Sequence, residues 1–97
     1  MLSLEEIRSW ADAITIKSML KLIKFYHRPS KRPDRTMTQI VFTEGSNEYC
    51  VWIFPEFNIM YVDALQEGVE DARKLFRGPV SRDSLECISL ILRRAEL

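Results

Sequence analysis

Histidine, glycine and cysteine are scarce in this chain, and each scarcity closes a route to chemistry. His27 is the one histidine, so a Ser-His-Asp or Cys-His constellation would have to form around a residue beside a run of bases. A solvated loop position is the expected place for it. One histidine with two separated cysteines, Cys50 and Cys87, gives no zinc-ligand spacing. The glycines at 45, 68 and 78 stand too far apart to build a phosphate-cradling loop. Carboxylate pairs can be drawn among Glu67, Glu70 and Asp71, but at helical spacing they describe a solvated face rather than a general acid and base. These patterns assign no catalytic residue, metal or cofactor, and the chain reads as a binding protein rather than an enzyme.

Other absences bound the class. The longest apolar run, residues 49–54, is far too short to span a membrane. The first residues, Met1-Leu2-Ser3-Leu4-Glu5-Glu6, are acidic where a secretion signal is basic, so no export is expected. Both cysteines fall on apolar faces of expected elements, which predicts reduced, buried thiols in a cytosolic protein. With 97 residues, 46% of them hydrophobic, the chain makes one domain over 1–97 that buries a core without disulfide or metal.

What the chain does have is charge sorted along its length. The formal total is zero, yet residues 13–35 hold seven bases against the single acid Asp34, a net of +6. Residues 44–71 hold seven acids and no base, a net of −7. Such segregation gives a surface dipole able to steer a charged partner.

Ser3 with Glu6 is a capping box that starts a helix at Leu4. Ile7, Trp10, Ala11 and Ile14 share one helical face, while Ile16, Met19, Leu20 and Ile23 lie half a turn away. One long helix gripped on both sides fits, as do two shorter ones broken near Thr15. Lacking Gly or Pro at a break, the long or bent helix is favoured, ending by Arg28 before Pro29. Residues 27–35 then read as an exposed basic loop. Strands are expected over 36–43, 48–54 and 57–62, with a turn at 44–47 and another at Pro55-Glu56. Asp63 caps a next helix with Leu65, Val69, Ala72 and Phe76 in a stripe, stopped by Gly78-Pro79. Ser81 caps a last helix whose core face is Leu85, Ile88, Ile91, Leu92 and Ala95. The expected fold is α+β: a three-stranded antiparallel meander packed with three helices, in the order α-β-β-β-α-α.

Three surfaces compete for a function. The acidic candidates Glu44, Glu48, Glu56, Glu67, Glu70 and Asp71 would form one negative face that docks a protein with a basic surface. The basic candidates Lys21, Lys24, Arg28, Lys31, Arg32 and Arg35 would contact phosphates of nucleic acid, against which stands a pI near 6.6. The strand 49–54 is apolar on both faces, with Tyr49, Val51 and Ile53 opposite Cys50, Trp52 and Phe54. Either helices cover both sides of it, or one side stays open as an interface. Its aromatics would stack unpaired bases only against repulsion from Glu44, Glu48 and Glu56. The opposed charge blocks and the two-sided strand also allow a homodimer.

Thr38-Gln39-Ile40-Val41, a turn at Gly45 and Asn47-Glu48-Tyr49, with Val69-Glu70 and Phe76-Arg77-Gly78 further on, resemble small phage anti-CRISPR proteins that inhibit a type II RNA-guided nuclease, as does the expected element order. The resemblance implies a non-enzymatic inhibitor that occupies a nucleic-acid-binding surface by presenting carboxylates, here Glu44, Glu48, Glu67, Glu70 and Asp71. The +6 segment implies that such mimicry is one-sided.

Overall fold

The computed structural model describes residues 2–31 and 35–95. Helix α1 (Leu4–Lys17) opens as its capping box dictates: the Ser3 hydroxyl accepts from the Glu6 amide at 3.1 Å, and the Glu6 carboxylate accepts from the Ser3 amide at 3.5 Å. It closes at Ser18, whose hydroxyl donates to the Ile14 carbonyl at 2.6 Å and accepts from the Leu20 amide at 3.2 Å. A serine that satisfies backbone groups in this way competes with continued helix.

Five antiparallel strands follow in sequence order: β1 (Lys21–Arg28), β2 (Met37–Glu44), β3 (Asn47–Phe54), β4 (Ile59–Leu65) and β5 (Arg73–Gly78). Gly45, at φ 59°, takes the first position of the two-residue β2–β3 turn, where a tight hairpin needs a positive φ. A 3-10 turn, Pro55–Phe57, and Asn58 in the left-handed region join β3 to β4. The chain ends in helix α2 (Arg82–Ala95), where the Ser81 hydroxyl accepts from the Ser84 amide.

Both helices cover the same face of the sheet. Ile7 and Ala11 of α1 and Leu85, Ile88 and Leu92 of α2 share one core with Ile40, Phe42, Tyr49, Val51, Ile53, Met60, Val62 and Ala64. These strand residues alternate, and paired positions across each ladder point the same way. The Trp10 indole ties the layers together. Its ring meets Phe42 edge-on at 6.1 Å, and its Nε1 donates to the Ser89 hydroxyl at 2.7 Å and the Leu85 carbonyl at 3.2 Å. Arg82 donates to the Glu6 carboxylate at 2.7 Å on the rim of the same layer.

The expected three-stranded sheet with three helices is therefore corrected, among the described residues, to five strands and two α-helices. Residues 21–28, read as the end of a long first helix, form an edge strand with a bulge between Leu22 and Lys24. The change of apolar phase after Ile14 marks the change from helix to strand, not a helix gripped on two sides. The break falls at Ser18 rather than near Thr15. Residues 64–78, read as a helix, are the end of β4, an exposed loop containing Gly68 at φ 82°, and β5. Asp63 is a strand residue opposite Cys50 and Lys74. Its supposed stripe fails as a core face, since Leu65, Val69 and Ala72 are exposed. In both places, cross-strand backbone pairing outweighed a helical spacing compatible with either state.

Candidate functional site

Because the helices share one side, no described helix covers the opposite face of the sheet. It carries Lys24, Tyr26 and Arg28 from β1 and Gln39 and Val41 from β2. From β3 and β4 come Glu48, Cys50, Trp52, Phe54, Ile59, Tyr61 and Asp63, and from β5 Lys74 and Arg77. Ile23, at the β1 bulge, is more than half exposed beside them.

At the centre of this face Trp52, Phe54 and Tyr61 form one aromatic cluster. Trp52 and Tyr61 are register partners, Phe54 is two residues along β3, and all three centroids lie 6.0–6.3 Å apart with planes within 25° of parallel. Burial raises the Tyr61 phenol pKa above its ordinary value, and the Asp63 carboxylate and Cys50 add to that, so it stays protonated. Beside the cluster, Phe54, Phe57, Ile59, Tyr61, Lys74 and Arg77 line a cavity of ≈ 260 Å³. Two of the cations lie against rings: Lys74 Nζ is 5.9 Å from the Tyr61 centroid, and the Arg35 guanidinium 6.0 Å from that of Phe57. Among the described residues, none of Lys74, Arg77 and Arg35 is in an ion pair.

Further along the strands, Ile23, Lys24, Gln39, Val41, Glu48, Cys50, Trp52, Asp63, Leu65 and Ala72 line a second cavity of ≈ 370 Å³. Cys50 accepts from the Gln39 amide at 3.4 Å, and burial pushes its thiol pKa up. Asp63 Oδ1 is buried with no hydrogen-bond partner among the described residues. That cost is carried next to Lys74, its register partner.

The structure divides the expected acidic set. Glu44 ends β2, Glu48 is paired with Leu65 at the end of β4, and Glu67, Glu70 and Asp71 lie in the exposed loop between β4 and β5. Those five share one end of the sheet. Glu56 does not join them: it sits in the 3-10 turn at the opposite end, where its carboxylate accepts from the Thr36 amide at 2.8 Å. The Thr36 side chain and amide hold its pKa below the ordinary 4.5.

The basic set is divided too. Arg28 is at the Glu56 end, where its guanidinium donates to the Arg35 carbonyl at 3.3 Å, and Lys31 is exposed in the segment beyond. Lys21 pairs with Thr43 at the acidic end, and Lys24 lines the second cavity. Arg32 lies outside the described residues. His27 is not a loop residue: it ends up in β1 on the helix-covered side, its Nδ1 3.0 Å from the buried Thr38 hydroxyl. Cys87, expected in the core, is exposed.

Lys74 and Arg77 are hidden in the sequence by the helical spacing of 64–78, and nothing local to Tyr61, in the expected strand 57–62, shows that it meets them. The alternation Cys50, Trp52, Phe54 was the signal that survived. The element order behind part of the anti-CRISPR resemblance is not the order of this chain; Val69-Glu70 falls in the β4–β5 loop and 76–78 in β5, while the residues 38–41 and 47–49 do form a hairpin. Comparison with known families, curated proteins and solved structures finds no match. Among the described residues, no helix is long and apolar enough to cross a membrane.

Proposed function

We propose that this chain is a cytosolic, non-enzymatic protein-binding module that docks a partner with a basic surface through the acidic end of its sheet. One observation carries the reading. Glu44, Glu48, Glu67, Glu70 and Asp71 come from three separate stretches of sequence, and antiparallel register gathers them at one end. None of them is in an ion pair among the described residues, so the charge is available to a partner. Long-range steering of this kind raises association rates at low salt and fades with screening. The sharpest form of the proposal is inhibition of a nucleic-acid-handling complex whose basic surface the carboxylates occupy.

The test is charge reversal in the loop, Glu67→Lys, Glu70→Lys and Asp71→Lys together, with affinity capture of the partner at low and high salt. The loop is exposed, so the variant should fold as the parent does. Association is expected to slow at least tenfold at low salt and to converge with the parent at high salt. Unchanged capture at low salt removes the acidic end from consideration.

A further inference from the structure

We infer that the uncovered sheet face is a binding site for single-stranded nucleic acid, with bases stacked on the Trp52–Phe54–Tyr61 cluster and phosphates on Lys74, Arg77 and Arg35. The site is distinct from the acidic end and does not depend on it. Two independent features converge here. The first is an aromatic cluster with nearly common ring orientation on the face that no described helix covers. The second is a set of cations at its margin, none in an ion pair among the described residues: Lys74 rests against Tyr61, Arg35 against Phe57, and Arg77 lines the cavity. An anionic chain with planar, apolar side groups complements both at once: stacking is indifferent to base identity, and the cations neutralise the backbone. The ≈ 260 Å³ cavity between the rings, Lys74 and Arg77 is of the size of one nucleotide.

Carboxylates on the same sheet set the path of the strand rather than forbid it. Glu48 stands four residues along β3 from Trp52 and six from Phe54, about 13 and 20 Å of strand at ~3.3 Å per residue. Glu44 lies beyond it in the same direction. Glu56 is near the aromatic half; its carboxylate accepts from the Thr36 amide and also attracts Arg35, so Lys74 and Arg77 are the cations left clear of it. Asp63 and Glu48 flank the second cavity, so phosphates are directed along the Arg77 and Arg35 margin while the bases face inward. Inside a duplex the base faces are stacked on one another and only their edges line the grooves, which makes unpaired strands the favoured form.

The experiment is fluorescence anisotropy of the full chain with fluorescein-labelled U12 and dT12, a 12-base-pair duplex, and unlabelled uridine monophosphate as competitor. Both oligomers should bind, the duplex at least tenfold more weakly, with log K falling against log salt at a slope of about −2 for three cations. Tyr61→Ala should weaken binding about tenfold or more. Arg77→Ala should lower both affinity and salt slope, while Glu48→Gln tightens binding. Circular dichroism of each variant separates lost folding from lost contact, and quenching of Trp52 fluorescence reports stacking directly. The inference is overturned by no anisotropy change at millimolar protein, by wild-type affinity in Tyr61→Ala and Arg77→Ala, by equal binding of duplex, or by competition from the monophosphate at the oligomer's own affinity. A protein dimer that buries this face and persists with U12 in sedimentation overturns it as well.

Discussion

The covering of one sheet face by both helices can be tested through Trp10 and Ser89, and every surface assignment depends on it. Trp10→Phe keeps the edge-on ring contact with Phe42 but deletes the Nε1 donor that serves Ser89 and Leu85. One lost hydrogen bond costs about 1 kcal/mol, and the smaller ring forfeits about 1 kcal/mol of apolar burial. The sum lowers Tm by roughly 10 °C in a domain of this size. Ser89→Ala deletes the buried acceptor of that indole and costs about 1 kcal/mol. The Leu85 carbonyl keeps the indole as a donor. Because both single changes break the same 2.7 Å bond, the double variant should cost about 1 kcal/mol less than their sum. Urea unfolding followed by circular dichroism measures all four corners of the cycle. Additivity within about 0.3 kcal/mol would refute the shared layer. It would mean that α1 and α2 do not meet, and the aromatic face could then lie beneath one of them.

Other consequences are simpler. Cys87 is exposed, whereas Cys50 is half-buried with a raised thiol pKa, so an alkylating reagent near neutral pH should modify Cys87 first and Cys50 much more slowly; mass spectrometry of partly labelled protein gives the order, and equal rates would contradict the placement of Cys50. Glu56 has a folded pKa below 4.5, so its stabilising share is fully present above that value and is lost as pH falls through the folded pKa. Denaturation midpoints from pH 6 to pH 3 should therefore fall less steeply in Glu56→Gln than in the parent, and parallel curves would remove the Thr36–Glu56 link.

Much of the local structure was legible in residues 3–6, 44–47 and 81–92, where caps, turn chemistry and a single apolar stripe agree. Ser3 and Glu6 could do little other than cap, and Gly45 supplies the positive φ that the hairpin requires. Legibility failed where one pattern fits two states. Residues 16–28 and 64–78 have helix-compatible apolar spacing, and nothing nearby in sequence shows that β2 and β4 wait with unpaired backbone edges. A strand's main-chain hydrogen bonds go to another part of the chain, so its stability is invisible within a local window. A helix satisfies its own, so the starts of α1 and α2 are legible from their caps, whereas a capping residue at Asp63 does not by itself make a helix.

Residue order alone settles an α+β chain with two opposed charge blocks, an N-terminal capped helix, a β-hairpin about Gly45 and a C-terminal helix. Which residues meet is set by the folded sheet. It carried Glu56 to the end opposite the other acids, parted Lys21 and Lys24 from Arg28 and Lys31, and put Lys74 and Arg77 beside Tyr61. The physical reason is that charge contributes little to the choice of fold, whereas burying Ile40, Phe42, Val51 and Val62 beneath two helices contributes about 1.5–3 kcal/mol for each side chain. Apolar burial set the register, and the register set where each charge and each exposed ring lies.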